Sequence, residues 1–178
     1  MKSIKTLILI TAITIGSFTA THTAAASILS YTKDSDGATF LLDKGRMKVK
    51  VCKDDIIEVK YTILPQIPSR TSLVINNDWA TAPKFDVAEG TDEIIISTQK
   101  IKIKVNKSTN SIRYTDLNDV VILAEDAAHG KIMAANSVAG ISTYKCETQF
   151  LSPADEALYG LGCHPVDSLA MNYKGRNQ

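Results

Sequence analysis

The chain has 178 residues, 44% of them apolar and 22% charged, with 20 Lys+Arg against 19 Asp+Glu. That composition excludes wholesale disorder, a collagen-like repeat and a multi-span membrane protein, and the length leaves room for one domain of ordinary size. A formal charge of +1 offers no basic field for nucleic acid, and three cysteines are too few and too scattered for a disulfide scaffold.

The N-terminus reads as a secretory signal peptide. Lys2 and Lys5 form a short positive region, and Leu7 to Phe18 is apolar apart from small hydroxyl residues and Gly16. Ala24-Ala25-Ala26 supplies a small-residue cleavage pattern, so residues 1–26 are expected to be leader and Ser27 the start of the mature chain. The apolar run is short for a span of about 20 residues and no positive flank follows it. The expectation is export to the periplasm or beyond, without a stable membrane anchor. Removing two lysines and no acids leaves the mature chain slightly acidic. Cys52, Cys146 and Cys163 are read as small buried apolar residues rather than as a disulfide pair and a spare.

Alternation with period 2 dominates the mature chain. Met47, Val49 and Val51 alternate with Lys48, Lys50 and Cys52. Ile57, Val59, Tyr61 and Ile63 alternate with Glu58, Lys60 and Thr62, and Ile101, Ile103 and Val105 with Lys100, Lys102 and Lys104. Successive strand side chains point to opposite faces, so each run offers one apolar and one charged face. Such runs suit antiparallel sheet with one side buried and one wet. The interleaved acids Asp54, Asp55, Glu58 and Glu93 make the lysines a solvated face, not a nucleic-acid stripe. Further strands are expected at Thr39–Leu42, Ser72–Ile75, Ile94–Thr98, Ser111–Thr115, Val120–Leu123 and Gly140–Phe150. Turn chemistry at Asp43-Lys44-Gly45, Lys53-Asp54-Asp55, Asn106–Asn110 and Asn118-Asp119 separates them. Asp155–Leu158 is the one place for a helical turn. Many short strands with close turns predict an all-β antiparallel β-sandwich over residues 27–178.

Catalytic signatures are absent. There is no G-x-S-x-G elbow, Walker loop, H-E-x-x-H or dinucleotide fingerprint. His129 and His164 cannot by themselves make a three-ligand metal site, and no metal or cofactor is expected. Asp54-Asp55 and Asp155-Glu156 are adjacent in sequence, so on a strand they would point apart and make poor acid/base dyads.

The C-terminal segment differs from the rest. Leu158-Tyr159-Gly160-Leu161-Gly162-Cys163-His164-Pro165 packs two glycines and an aromatic against a polar loop, with Asp167, Asn172, Tyr173, Lys174 and Arg176 close behind. Aromatics stack on the apolar face of a sugar ring, and amides and acids bind its hydroxyls. The run from Pro153 to Gly162, with Asn172-Tyr173-Lys174-Gly175-Arg176 downstream, resembles the N-terminal β-sandwich domain of glycoside hydrolase family 31. Its flavour is that of the secreted α-xylosidases and α-glucosidases of Bacteroides-type bacteria.

The resemblance implies a galactose-mutarotase-like sandwich that packs on a (β/α)8 barrel and lends a loop to its substrate pocket. It implies retaining hydrolysis of α-linked oligosaccharides by two barrel aspartates, whose carboxyls must stand about 5–5.5 Å apart. Neither aspartate segment is in this chain. The only Trp, Trp79, sits in Asn77-Asp78-Trp79-Ala80 and not in a nucleophile motif. The chain is therefore expected to be a non-catalytic part of such an enzyme, lacking the barrel and the sandwich's last strands. His164, Asp167 and Asn172 are the candidate substrate-facing residues. A free-standing carbohydrate-binding module and an exported structural or adhesive β-protein are the alternatives.

Overall fold

The computed structural model describes residues 26–69, 73–75, 79, 81, 83–159 and 174. Eleven strands are formed in this part of the chain, all paired antiparallel, and no helix. The first sheet has the order β1 (Ile28–Asp34), β2 (Gly37–Leu42), β3 (Arg46–Lys53), β4 (Ile56–Thr62). The second runs β5 (Asp86–Glu89), β6 (Glu93–Ser97), β7 (Ile101–Asn106), β8 (Ile112–Asp116), β9 (Val121–Ala124). β10 (Lys131–Val138) and β11 (Ile141–Thr148) form a separate two-stranded ribbon. Within each sheet sequential neighbours pair, because the short polar turns between them leave no room for a crossover.

The apolar halves of the alternating runs meet between the two sheets. Ala38, Phe40, Met47, Val49 and Val51 from the first pack with Ile94, Ile96, Ile103, Val105 and Ile112 from the second, all essentially without solvent contact. At roughly 1.5–3 kcal/mol for each fully buried large aliphatic, this cluster outweighs any single polar contact in the fold. The charged halves face outward and pair locally. Lys48 meets Asp36 at 2.9 Å and Asp34 at 3.5 Å, while Asp119 takes Lys104 at 2.6 Å and Lys102 at 3.1 Å. The lysine stripe is thus an ion-paired outer face.

Several expectations need correction. Residues 73–75 form no strand, and Asp155–Leu158 forms no helical turn; Glu156 N–H reaches only Pro153 O in a simple turn. Cys52 is buried, as expected of a small apolar residue, but the alternation that set it opposite Val51 fails, since Val51 is buried too. The pairing skips a residue between Val51 and Lys53, and this bulge turns both side chains inward. Cys146 is exposed rather than buried, because it lies on the projecting ribbon, and neither cysteine is in a disulfide.

Candidate functional site

The one strongly polar spot inside the described body lies where β9 hands over to β10. Glu125 follows β9, and Lys131 opens β10. The five residues between them turn on Asp126, whose Oδ1 accepts the N–H groups of Ala128 (2.7 Å) and His129 (3.3 Å). Those two N–H donors and the nearby His129 ring hold the Asp126 carboxyl below its usual range. Gly130 is required there, since a Cβ would stand 2.7 Å from Asp126 O.

This turn folds Lys131 back onto Glu125. The two side chains are ion-paired, with only 5% and 4% of their surface exposed. The same Glu125 oxygen accepts the Ile112 N–H at 2.8 Å. The Lys131 ammonium also donates to Asn110 O at 2.9 Å and lies 3.4 Å from Asn110 Oδ1. Burial pulls the Lys131 pKa down, against the pull of the Glu125 charge. Burial, with the Glu125 charge adding to it, pushes the phenol of Tyr114 well above its ordinary value.

This pair lines an open pocket of about 460 Å³ between β4, β8 and the ribbon. Its walls are mainly apolar: Ile57, Val59 and Tyr61 from β4, Tyr114 from β8, Met133 from β10, and Phe150. The β4 residues are only half-buried, unlike their counterparts on β2 and β3, because β4 is the end strand of its sheet and the pocket opens beside it. Two carboxylates reach the cavity, Glu125 and Glu147. Each is tied to its own lysine, Lys131 and Lys145. Glu125 has its polar neighbours inside the fold, the Lys131 ammonium and the Ile112 N–H, whereas the Glu147–Lys145 pair lies at the surface. The adjacent acids behave as turn and surface charge: Asp55 pairs with Lys100 at 2.7 Å, and Glu156 accepts from Ser152 Oγ at 2.5 Å. No cluster of three metal-ligating side chains occurs among the described residues.

The residues singled out from the sequence, His164, Asp167 and Asn172, lie outside the described residues. Sequence reasoning did not pick out the Glu125–Lys131 pair. Its only signal is two opposite charges six residues apart around a turn, which is commonplace on surfaces.

Two antiparallel sheets packed over an aliphatic core, with a two-stranded ribbon beside an apolar pocket, define an all-β sandwich. Residues 46–174 match the model of the glycosyl hydrolase 31 N-terminal galactose mutarotase-like domain, and the chain belongs to that family. Among solved structures it is similar to the GH31 α-xylosidase of Xanthomonas citri, at 28% identity and a TM-score of 0.63, over 74% of this chain and 14% of that one. A GH31 dextranase of Flavobacterium johnsoniae shares the fold at 17% identity and a TM-score of 0.64, over 78% and 16% of the two chains. A GH31 α-xylosidase from a soil metagenome does so at 20% and 0.61, over 82% and 24%. The chain thus spans less than a quarter of each of these proteins.

Proposed function

We propose that this chain is the non-catalytic N-terminal portion of a secreted family 31 α-glycosidase, in which it supports the catalytic barrel and helps shape the substrate pocket. The observation that carries the reading is the pairing of a family match over residues 46–174 with coverage of only 14% of a 28%-identical α-xylosidase. In that reading the enclosed Glu125 carboxylate, held by Lys131 and the Ile112 N–H, serves the fold. The full-length enzyme would hydrolyse α-xylosides or α-glucosides with retention, using two carboxylates of a barrel. His164, Asp167 and Asn172 are the proposed contributors to the pocket wall, for their hydrogen-bonding chemistry.

Two measurements test the reading. The reading frame beyond the codon for Gln178, followed in the source DNA, should encode a barrel with its aspartate segment, intact or as a remnant. The isolated chain should release no product from aryl α-xylosides or α-glucosides. Turnover by pure protein would refute the non-catalytic assignment, and saturable glycan binding by the isolated chain would favour a free-standing module instead.

A further inference from the structure

The ribbon presents an open edge. Its turn closes on the facing residues Val138 and Ile141 through the left-handed residues Ala139 and Gly140. In such a hairpin the closing pair shares hydrogen bonds, and so does every second pair after it. The Gln149 N–H, donating to Gly130 O at 2.9 Å, continues that series past the foot of the ribbon. The intervening pair Met133 and Cys146 therefore shares none. The N–H and C=O groups of Ser142, Tyr144, Cys146 and Thr148 thus point away from β10, along the outer edge of β11. Among the described residues no strand pairs with that edge. Common protections are missing: β11 has no proline, its register with β10 is unbroken, and no residue from Ile132 to Tyr144 is charged. A two-stranded ribbon is marginal in water by itself.

We propose that β11 pairs antiparallel with β11 of a second copy of this chain, around a twofold axis at Cys146. The charges select the register. Lys145 and Glu147 are the charged residues of β11, and they flank Cys146. With the axis there, Cys146 faces the partner's Cys146 in a hydrogen-bonded pair. Lys145 then faces the partner's Glu147 in the closer, non-hydrogen-bonded kind of pair. The reverse contact follows by symmetry, so the interface is isologous and closed. A ladder centred on Lys145 would set like charges together and would need backbone groups already spent on β10. One centred on Tyr144 would face Lys145 with Thr143 and leave the charges unmatched. β10 offers no equivalent, because its one charge, Lys131, is enclosed with Glu125. In the chosen register Tyr144 lies opposite the partner's Thr148. Thr148 lines the open pocket, so each copy sets a tyrosine against the other's pocket, beside the half-buried β4. This interface is independent of the glycosidase reading above.

Charge exchange tests the register. All proteins carry Cys163→Ser, so that the exposed Cys146 and the buried Cys52 are the thiols left. Facing Cα atoms about 5.5 Å apart suit a disulfide. Diamide takes up two electrons and two protons as two thiols become one disulfide. With it the chain should give a dimer linked Cys146 to Cys146, identified by peptide mass. Lys145→Glu and Glu147→Lys each set like charges across the axis and should weaken dimerisation about tenfold or more, read by sedimentation. Mixed one to one, the two variants should recover the dimer as a hetero-pair. Each then supplies the charge the other lacks, although neither holds an internal ion pair at these positions. Ile122→Lys, at the β9 edge, should leave the cross-link unchanged. A chain monomeric at every concentration, dimers indifferent to both charge changes, or a mixture that fails to recover would overturn the proposal. So would loss of the cross-link in Ile122→Lys, which would assign the association to β9.

Discussion

Lys131 and Glu125 face each other inside the protein, the only fully enclosed ion pair among those in the described residues. Removing one partner strands the other charge in a poorly solvated place. Lys131→Met is expected to cost about 3–5 kcal/mol, and the double change Lys131→Met with Glu125→Leu much less than the two single changes combined. Urea unfolding of the four proteins in the cycle measures this. Strictly additive losses would show that the two groups do not depend on each other.

Tyr114 should contribute to a loss of stability at alkaline pH. Its phenol is held protonated in the folded state above the ordinary value of 10, first by burial and then by the Glu125 charge. Above pH 10 the folded chain therefore binds more protons than the unfolded one, and stability falls as pH rises. Burial gives Tyr61 a raised value as well, with a smaller part from Asp43. Lys131 acts in the opposite sense, since its lowered pKa makes stability rise with pH on the approach to 10.5. Tyr114→Phe should flatten the fall in melting temperature between about pH 9.5 and 11. Parallel curves for the two proteins would contradict the assignment.

The ribbon turns over Ala139 and Gly140, both at positive φ (50° and 81°), between the facing residues Val138 and Ile141. A two-residue hairpin loop with both residues left-handed favours Asn-Gly, whereas alanine carries a steric penalty there. Ala139→Asn should stabilise the ribbon by about 0.5–1 kcal/mol, seen as slower amide exchange in β10 and β11. Unchanged or faster exchange would argue that the turn is not under strain.

Gly45 and Gly140 separate two reasons for glycine. Both have positive φ, but a Cβ on Gly45 would stand 1.9 Å from the Thr62 carbonyl oxygen, whereas one on Gly140 meets nothing within 4 Å. Gly140→Ala should cost about 1 kcal/mol from backbone strain alone, and Gly45→Ala clearly more, since the β3–β4 backbone must move as well. Chemical denaturation ranks the two, and equal costs would mean that β4 yields freely at its end.

The isolated chain should self-associate. Val121, Ile122 and Leu123 on the end strand β9 are 53%, 61% and 40% exposed, and Val120 before them is 62% exposed. An apolar strand at a sheet edge is a template for another strand. Light scattering of residues 27–178 should rise with concentration, and Ile122→Lys should reduce it. A monomer with sharp, cooperative unfolding would show that the edge is already protected.

Much of the sandwich was legible in the sequence. The runs Met47–Val51, Ile57–Tyr61 and Ile101–Val105 alternate strictly, and each became a strand with its apolar half turned inward. Three strands escaped notice for physical reasons. β1 carries an irregularity between Ile28 and Ser30 that breaks its alternation, β5 has four residues at a sheet edge, and β10 reads Lys-Ile-Met-Ala-Ala-Asn-Ser-Val without a β-pattern. β10 is a strand because β11 pairs with it residue for residue from Lys131 to Val138. The Tyr-Gly-Leu-Gly run signalled the family, which the match over residues 46–174 bears out.

The sequence by itself determined which segments extend, which face of each is apolar and where the chain turns, because these follow from period-2 chemistry and turn residues acting locally. Only the tertiary structure decided what is covered. Val120–Leu123 is as apolar as Ile94–Ile96, yet the first lies exposed at an edge, while Ile94 and Ile96 have almost no solvent contact. Glu125 and Lys131 have the look of surface charges, yet they are enclosed. Burial depends on which distant strand or ribbon lies opposite, and that partner is set by the packing of the whole chain.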